Sequence, residues 1–221
     1  MAETLSRDLT LGIIGGTGAL GSGLARRWAA AGYPVILGSR EADKAVRVAA
    51  EISGARGMEN AAAARAATLV VVTVPFQSHQ ATLASIAEAS AGKILVDTTV
   101  PLVPPKVATV QLPPEGSAAL AAQRLLGERV RVVSAFQNIA AHKLHKDEPI
   151  DCDVLISGND RAARETVIGL AEAIGLRGID AGPIANSVAA EALTSILIGI
   201  NRRYKVDGAG IRITGAFGSR E

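Results

Sequence analysis

The stretch that most constrains the fold is residues 11–40, where an apolar run, a glycine cluster, an amphipathic segment and a second apolar run follow in order. Its glycines have the spacing G-x-G-x-x-G. In a strand–turn–helix unit the first glycine makes the tight turn, the second lets a pyrophosphate approach the backbone, and the third lets the helix pack on the strand. The helix then offers its free N–H groups to the phosphates. The predicted phosphate-binding residues are Gly16, Thr17, Gly18, Ala19, Leu20 and Gly21.

The residues around the glycines favour a binding site over a glycine turn without a ligand. Leu20, Leu24 and Trp28 recur at i, i+4 and i+8, which is typical of an amphipathic helix. Gly32 stands where a helix C-terminal glycine belongs, and an apolar run follows it. The whole unit therefore predicts a nucleotide-binding βαβ arrangement.

The end of the second apolar run indicates which dinucleotide binds. An NAD-binding chain usually places Asp or Glu there, about 20 residues after the glycines, to accept hydrogen bonds from the ribose. This chain has Ser39 and Arg40, with Lys44 one helical turn later. A hydroxyl, a guanidinium and an ammonium group suit a ribose 2′-phosphate, and cations at a helix N-terminus are unfavourable without an anion. We therefore predict that the cofactor is NADP.

Strand and helix patterns alternate along the rest of the chain, which predicts an α/β fold with a Rossmann-type doubly wound parallel sheet. The expected strands after the first two lie within residues 54–58, 69–74, 93–97, 130–134, 151–157 and 176–181, and the expected helices after the first within 41–52, 80–91, 117–126, 160–174 and 185–204. Residues 101–116 contain five prolines and predict an irregular lid near the site. Ligands bind beyond the carboxyl ends of parallel strands, so residues 73–76, 98–101 and 135–138 are candidates for the site.

Composition excludes several classes of function. The net charge of +2 is too small to indicate a nucleic-acid partner, and no apolar run reaches the roughly 18 residues that span a membrane. The single Cys152 and the absence of a signal-peptide pattern favour a reducing compartment, so we expect a cytoplasmic protein. His142 and His145 lie among charged residues and are expected on a solvated helix face, so no metal site is predicted.

Motifs along nearly the whole chain resemble the NADPH-dependent oxidoreductases of the deazaflavin coenzyme F420. The matching segments are residues 15–18 with 20–21, 38–40, 74–75, 112–119, 134–136, 151–155, 180–183, 191–194 and 201–205. The resemblance implies a dimeric enzyme that transfers a hydride between NADP(H) and coenzyme F420. It also implies an NADP-binding domain at residues 1–147 and a smaller C-terminal α/β domain at 148–221 that supplies acceptor and dimer contacts.

The resemblance also assigns residues to the two substrates. Along the nicotinamide half of NADP it places Val74, Pro75 and Ala141. Phe76, which follows the same strand, is a further expected cofactor-binding residue. Facing the deazaflavin ring it places Ala135, Gln137, Asn138 and Ile139. No catalytic residue is expected, because hydride transfer between two rings requires alignment and the cofactors carry the chemistry.

Two departures from the family pattern fall beside the expected acceptor site. The family commonly has Phe-His-Asn where this chain has Phe136-Gln137-Asn138, and a Ser-Pro pair is often present near Asp97. Glutamine cannot carry the charge of an imidazole. Another acceptor on the same scaffold therefore stays open: a flavin, a pterin or a carbonyl compound. Among the carbonyl reductases, the β-hydroxyacid dehydrogenases would need a lysine early in the last helix, and residues 182–200 contain none. A non-catalytic NADP-sensing protein is a further alternative.

Overall fold

The computed structural model describes residues 9–215, which form one eight-stranded sheet with helices on both faces. Its strand order is β3-β2-β1-β4-β5-β6-β7-β8, and all neighbouring strands are parallel except β6 and β7. The strands are β1 Leu11–Ile14, β2 Val35–Ser39, β3 Arg56–Glu59, β4 Leu69–Val72, β5 Ile94–Asp97, β6 Arg131–Ser134, β7 Asp153–Gly158 and β8 Arg177–Asp180. The predicted fold class is confirmed.

Seven α-helices are present among residues 9–215. They are α1 Ala19–Ala30, α2 Ala42–Ala49, α3 Asn60–Ala66, α4 Phe76–Ile86, α5 Ala118–Leu126, α6 Arg161–Glu172 and α7 Ser187–Tyr204. The sequence patterns did not predict α3, which the side chain of Glu59 caps by accepting two backbone N–H groups. Helix α4 begins at Phe76, four residues earlier than predicted, because Pro75 is its N-cap and its fixed φ suits a helix start.

The core lies in two layers, one on each face of the sheet. Successive residues of a strand point to opposite faces, so Ile13 joins one cluster of buried side chains and Ile14 joins the other. Burial on both faces explains the continuous apolar strands of the sequence. The larger layer contains Trp28, whose Nε1 donates to the carbonyl oxygen of Leu170 at 2.9 Å and whose ring meets Phe136 edge-on. This contact fastens α1 to the C-terminal part of the chain.

The sheet order creates a crevice at the centre of its carboxyl edge. From β1 the chain moves outward to β2 and β3, and then returns to β4 on the other side of β1. Connecting segments therefore leave β1 and β4 toward opposite faces. The gap between them is where open α/β sheets bind ligands.

Beyond β6 the direction of the strands reverses. Strands β7 and β8 are parallel to each other, and β7 is antiparallel to β6. The predicted boundary between residues 147 and 148 falls just before this reversal, and the division into two domains stays a prediction. The outer ends of both predicted domains, residues 1–8 and 216–221, lie outside the described residues.

Helix α7 is the longest helix of the described chain. With the turn before it, it forms a segment, Ile184–Tyr204, whose most apolar 18-residue window has a mean hydropathy of 1.3. By length and composition alone this segment could cross a bilayer. Only 33% of its most apolar window is buried in the subunit. Its Glu191 is 1% exposed and accepts the N–H groups of Ala118 and Ala119, which ties α7 to the start of α5. This tie identifies α7 as a helix of the folded domain.

Candidate active site

A cavity of about 660 Å³ occupies the crevice at the carboxyl ends of β1, β2, β4 and β5. Its walls come from the glycine turn after β1, the start of α2, the start of α4 and the segment after β5. The residues that line it are Gly15, Thr17, Gly18, Ala19, Leu20, Ser39, Arg40, Glu41, Lys44, Asn60, Thr73, Val74, Pro75, Phe76, Gln77, Ser78, Thr82, Thr98, Thr99, Val100, Leu102, Pro104 and Val107.

The three motif glycines serve different needs. A Cβ on Gly16 would lie 2.6 Å from the carbonyl oxygen of Ile13, and one on Gly21 would lie 2.6 Å from Oγ1 of Thr73. These two glycines are required by packing. A Cβ on Gly18 would come within 4 Å of one protein atom only, at 3.6 Å, so packing does not demand a glycine there. A side chain at Gly18 would instead enter the cavity, so the glycine leaves room for a ligand.

The N-terminus of α1 opens onto the same space. Its N-cap is Gly18, which supplies no side-chain hydrogen bond, and the first turn has no acidic residue. Free backbone N–H groups and the positive end of the helix dipole are therefore available to an anion. The residues present fit a bound pyrophosphate.

Positive charge gathers at one end of the cavity, where β2 meets α2. Arg40 and Lys44 are exposed there, and neither has an ion-pair partner within residues 9–215. Oγ of Ser39 accepts the N–H of Glu41 at 3.3 Å, which leaves the Ser39 hydroxyl proton free to donate. Two unpaired cations and a hydroxyl fit a phosphate group. Glu41 also lines this end, and the sequence patterns did not single it out.

The opposite end of the cavity is uncharged. Val74, Pro75 and Phe76 form one side, and Thr98, Thr99 and Val100 follow β5 on the other. The proline-rich segment contributes Leu102, Pro104 and Val107, as expected for a lid near the site. The sequence patterns missed Gln77 and Ser78, which precede the expected start of α4, and did not single out Thr82 within that helix.

A buried pair of polar side chains supports the wall after β5. Nε2 of His79 lies 2.6 Å from Oδ2 of Asp97, and both residues are at most 2% exposed. Oδ1 of Asp97 accepts the N–H of Thr99 at 3.0 Å. The His79 ring also stacks on Phe76, with centroids 6.3 Å apart. Asp97 and His79 thus hold both walls of the uncharged end from behind.

Gln137 and Asn138 lie behind this wall and do not line the cavity. Nε2 of Gln137 donates to the carbonyl oxygen of Asp97 at 2.9 Å and to Oγ of Ser134 at 2.8 Å. Nδ2 of Asn138 donates to the carbonyl oxygen of Ala190 at 2.8 Å. Both residues are 6% exposed. Their side chains therefore brace β5, β6 and α7.

Some of the other predicted site residues line the cavity, and the rest lie beneath it or away from it. Thr17, Gly18, Ala19, Leu20, Ser39, Arg40, Lys44, Val74, Pro75 and Phe76 line the cavity. Gly16 and Gly21 shape the turn beneath it. Ala135 and Ile139 are buried in the core, and Ala141 begins a short 3-10 turn, Ala141–His145. The structure thus brings the predicted phosphate-binding residues together at the cavity. The predicted acceptor residues are buried behind the residues that line it.

The remaining candidates have structural contacts. His142 pairs with Asp207, and Nε2 of His145 lies 2.8 Å from the carbonyl oxygen of Ala19. Both histidines are exposed. Burial raises the pKa of the Cys152 thiol, so it is a packed group with little thiolate character. Within the described residues, no three His, Cys, Asp or Glu side chains come together as metal ligands would.

Taken together, the sheet order, the glycine turn and the cationic pocket define a dinucleotide-binding α/β protein of the oxidoreductase type. The sequence pattern of a family described as "NADP oxidoreductase coenzyme F420-dependent" matches residues 10–101. Curated relatives extend the match to nearly the full chain, and with them the chain belongs to this family.

Two relatives and one solved structure support this assignment. The F420-dependent NADP reductase of Methanothermobacter thermautotrophicus is 44% identical, over 93% of this chain and 95% of its own length. That of Methanocaldococcus jannaschii is 41% identical, over 93% and 98%. A crystal structure from Arthrobacter sp. FB24, described provisionally as an F420-dependent NADP reductase, has a TM-score of 0.84 at 27% identity and covers 94% of this chain and 100% of its own.

Proposed function

We propose that this protein transfers a hydride between NADP(H) and the deazaflavin coenzyme F420. The observation that carries the proposal is one cavity with two unlike ends: a phosphate-binding end built from the glycine turn and unpaired cations, and an uncharged end between β4 and β5. The names of the relatives supply the identity of the second substrate.

NADP would occupy the cavity from its cationic end. The turn and the first residues of α1, residues 16–21, would hold the pyrophosphate. Ser39, Arg40 and Lys44 would hold the 2′-phosphate. Support comes from the position of all three beside the glycine turn, and from the lack of ion-pair partners for the two cations among residues 9–215.

The nicotinamide half would extend toward Val74, Pro75 and Phe76, with Ala141 as a further proposed contact. The acceptor would enter at the uncharged end, near Thr98 and the proline-rich segment. Ala135, Gln137, Asn138 and Ile139 are proposed to serve the acceptor. The hydrogen bonds of Gln137 and Asn138 suggest that they do so by fixing the wall in place.

The chemistry requires little of the protein beyond position. When bound, the nicotinamide of NADPH supplies a hydride, which the deazaflavin ring accepts together with a proton from solvent. The chain's part is to hold two flat groups in contact, which can lower a barrier by several kcal/mol through orientation alone, roughly 7–11 kcal/mol in the best-aligned small-molecule cases. Phe76, Val100, Leu102 and Val107 would keep water away from them.

We also propose that the protein is a homodimer of the cytoplasm. Support for the dimer is the apolar surface of α7, of which Ile196 is 49% exposed in the subunit. Pairing two copies of this surface would remove it from water.

Mixing the purified protein with NADPH and oxidised F420 tests the proposed reaction. We expect catalytic loss of the F420 absorption band, and a much slower loss with NADH. Riboflavin, a pterin and a simple carbonyl compound serve as competing acceptors. If F420 is inert and one of these is consumed, the chain is a reductase of another acceptor. If NADPH binds and no acceptor is reduced, the NADP-sensing alternative takes its place.

A further inference from the structure

Asn60 is a buried polar residue on the cavity wall that neither the glycine motif nor the cationic cluster includes. It is the first residue of α3 and is 4% exposed. Its side chain lies where the ends of β1 and β2 meet. Oδ1 of Asn60 accepts the N–H of Gly15 at 3.3 Å, and it lies 2.8 Å from the point where a Cβ on Gly38 would stand.

These contacts fix the orientation of the carboxamide. Because the backbone N–H of Gly15 can only donate, the atom that faces it must be the amide oxygen. The Nδ2 group is therefore turned away from Gly15, and it donates to no residue among those that the structure describes. Within that part of the chain, the unpartnered side-chain atoms sealed from solvent are Ser90 Oγ and Gln137 Oε1. Nδ2 of Asn60 is not sealed, because Asn60 lines the cavity.

The amide donor of Asn60, a buried residue, opens into the cavity without a protein partner, which suits a ligand oxygen. Buried polar side chains are nearly always paired, so an unpaired one that opens into a cavity is typical of a group that a ligand satisfies. The position of Asn60 selects the part of the ligand. Gly15 adjoins the phosphate-binding turn, and Gly38 directly precedes the cationic cluster at Ser39 and Arg40. The group between a pyrophosphate and a 2′-phosphate is the adenosine ribose.

We propose that Nδ2 of Asn60 donates a hydrogen bond to the 3′-oxygen of the adenosine ribose, which makes Asn60 a further binding residue for the dinucleotide. This inference rests on the proposed use of NADP and is independent of the second substrate. Asn60 would then have two roles: Oδ1 holds the glycine turn through the N–H of Gly15, and Nδ2 binds the ribose.

The substitution Asn60→Asp separates these roles. Aspartate has the same shape and keeps an oxygen for the N–H of Gly15, and it replaces the donor by a negatively charged acceptor. The ribose hydroxyl of NADH can reverse its hydrogen bond and donate to the carboxylate. In NADPH the adjacent 2′-phosphate is repelled. We expect NADPH binding at least about tenfold weaker by calorimetry, and NADH binding within about threefold of wild type.

The control is Gln80→Glu, which makes the same change from carboxamide to carboxylate at an exposed position of α4 outside the cavity lining. It should leave both affinities unchanged. Unchanged binding in Asn60→Asp, or equal weakening of NADPH and NADH, would overturn the proposal. Failure of F420 turnover would leave this result standing, because only dinucleotide binding is measured.

A second measurement needs no variant. ADP-ribose and its analogue without the adenosine 3′-hydroxyl are compared on the wild-type protein. We expect the analogue to bind about 2- to 10-fold more weakly, the value of one hydrogen bond. Equal affinity would overturn the proposal even if Asn60→Asp does not fold.

Discussion

At the scale of single residues, Arg40 is the side chain with the clearest physical task. It is exposed at the start of α2, where the positive end of the helix dipole disfavours a cation unless an anion is bound. No carboxylate among residues 9–215 forms an ion pair with it. A phosphate bound between Arg40, Lys44 and the Ser39 hydroxyl would offset the repulsion between these cations and the positive end of the α2 dipole.

Arg40→Ala should therefore weaken NADPH binding selectively. A hydrogen bond to a charged group contributes about 1.5–3 kcal/mol, which corresponds to roughly 10- to 150-fold in affinity. NADH lacks the 2′-phosphate and should bind almost unchanged. The measurement is the ratio of the two affinities, with Arg47→Ala as the control, because Arg47 is an exposed cation of the same helix that does not line the cavity.

Ser39→Asp should shift the preference further toward NADH, since a carboxylate repels the phosphate and can accept from ribose hydroxyls. A wild-type protein without preference would contradict the assignment of Ser39 and Arg40. The same holds if Arg40→Ala weakens both dinucleotides equally. In that case Glu41, which lines the same end of the cavity, becomes the candidate for accepting hydrogen bonds from the ribose hydroxyls.

At the scale of elements, α5 and α7 are joined by a buried carboxylate. Oε2 and Oε1 of Glu191 accept the N–H groups of Ala118 and Ala119 at 2.6 and 3.1 Å. Beside them, the hydroxyls of Ser117 and Ser187 are 2.7 Å apart. Burial raises the pKa of Glu191 to about 8, although both N–H groups act in the opposite direction. The folded protein thus retains a proton on this group over a range in which the unfolded chain has lost it.

This pKa predicts a pH-dependent stability. Because the folded-state pKa lies above the ordinary value of 4.5, the stabilisation is complete below about pH 4.5 and is lost as the pH rises through about 8. Glu191→Gln cannot titrate. Between pH 5 and pH 9 we expect the melting temperature of the wild type to fall relative to that of Glu191→Gln, measured in matched buffers. Parallel curves, or a relative rise of the wild type, would show that the two N–H groups stabilise the carboxylate.

The succession of strands and helices along the chain could largely be predicted from the sequence, because β-branched runs, glycine turns and helix stripes are local signals. The start of α3 could not, because its alanine-rich sequence has no apolar period, and with it Asn60 was missed. The roles of Gln137 and Glu191 depend on partners 40 and more than 70 residues away in the chain. The antiparallel pairing of β6 and β7 could not be predicted either, because no residue of the two strands indicates their relative direction.

At the scale of the whole molecule, the exposed surface of α7 points to assembly. Only a third of the most apolar window of this helix is fully buried within one subunit, while Glu191 and Asn138 fasten its other side to the domain. Two copies in contact through this surface would bury apolar area and would remove few charged side chains from water.

Ile196→Glu should therefore convert a dimer into a monomer. Ile196 is 49% exposed in the subunit, and a carboxylate at a paired surface would have to be desolvated without a partner. Light scattering coupled to size-exclusion chromatography gives the mass of each species. Val46→Glu on α2 is the matched control, because Val46 is 53% exposed and lies outside this helix. A monomeric wild type, or an Ile196→Glu protein that remains dimeric, would exclude assembly through α7.

The reversal of strand direction after β6 sets the C-terminal strands apart from the cavity. Strands β7 and β8 run opposite to β6, so their carboxyl ends lie at the edge of the sheet away from the cavity. Every described residue that lines the cavity lies between Gly15 and Val107. We therefore expect substitutions in β7, α6 and β8 to affect the lining of this cavity through the stability of the fold. We expect sequence changes in this region to be tolerated wherever they keep its core and its contacts, whereas changes at the lining positions within residues 15–107 would alter the groups that face the dinucleotide.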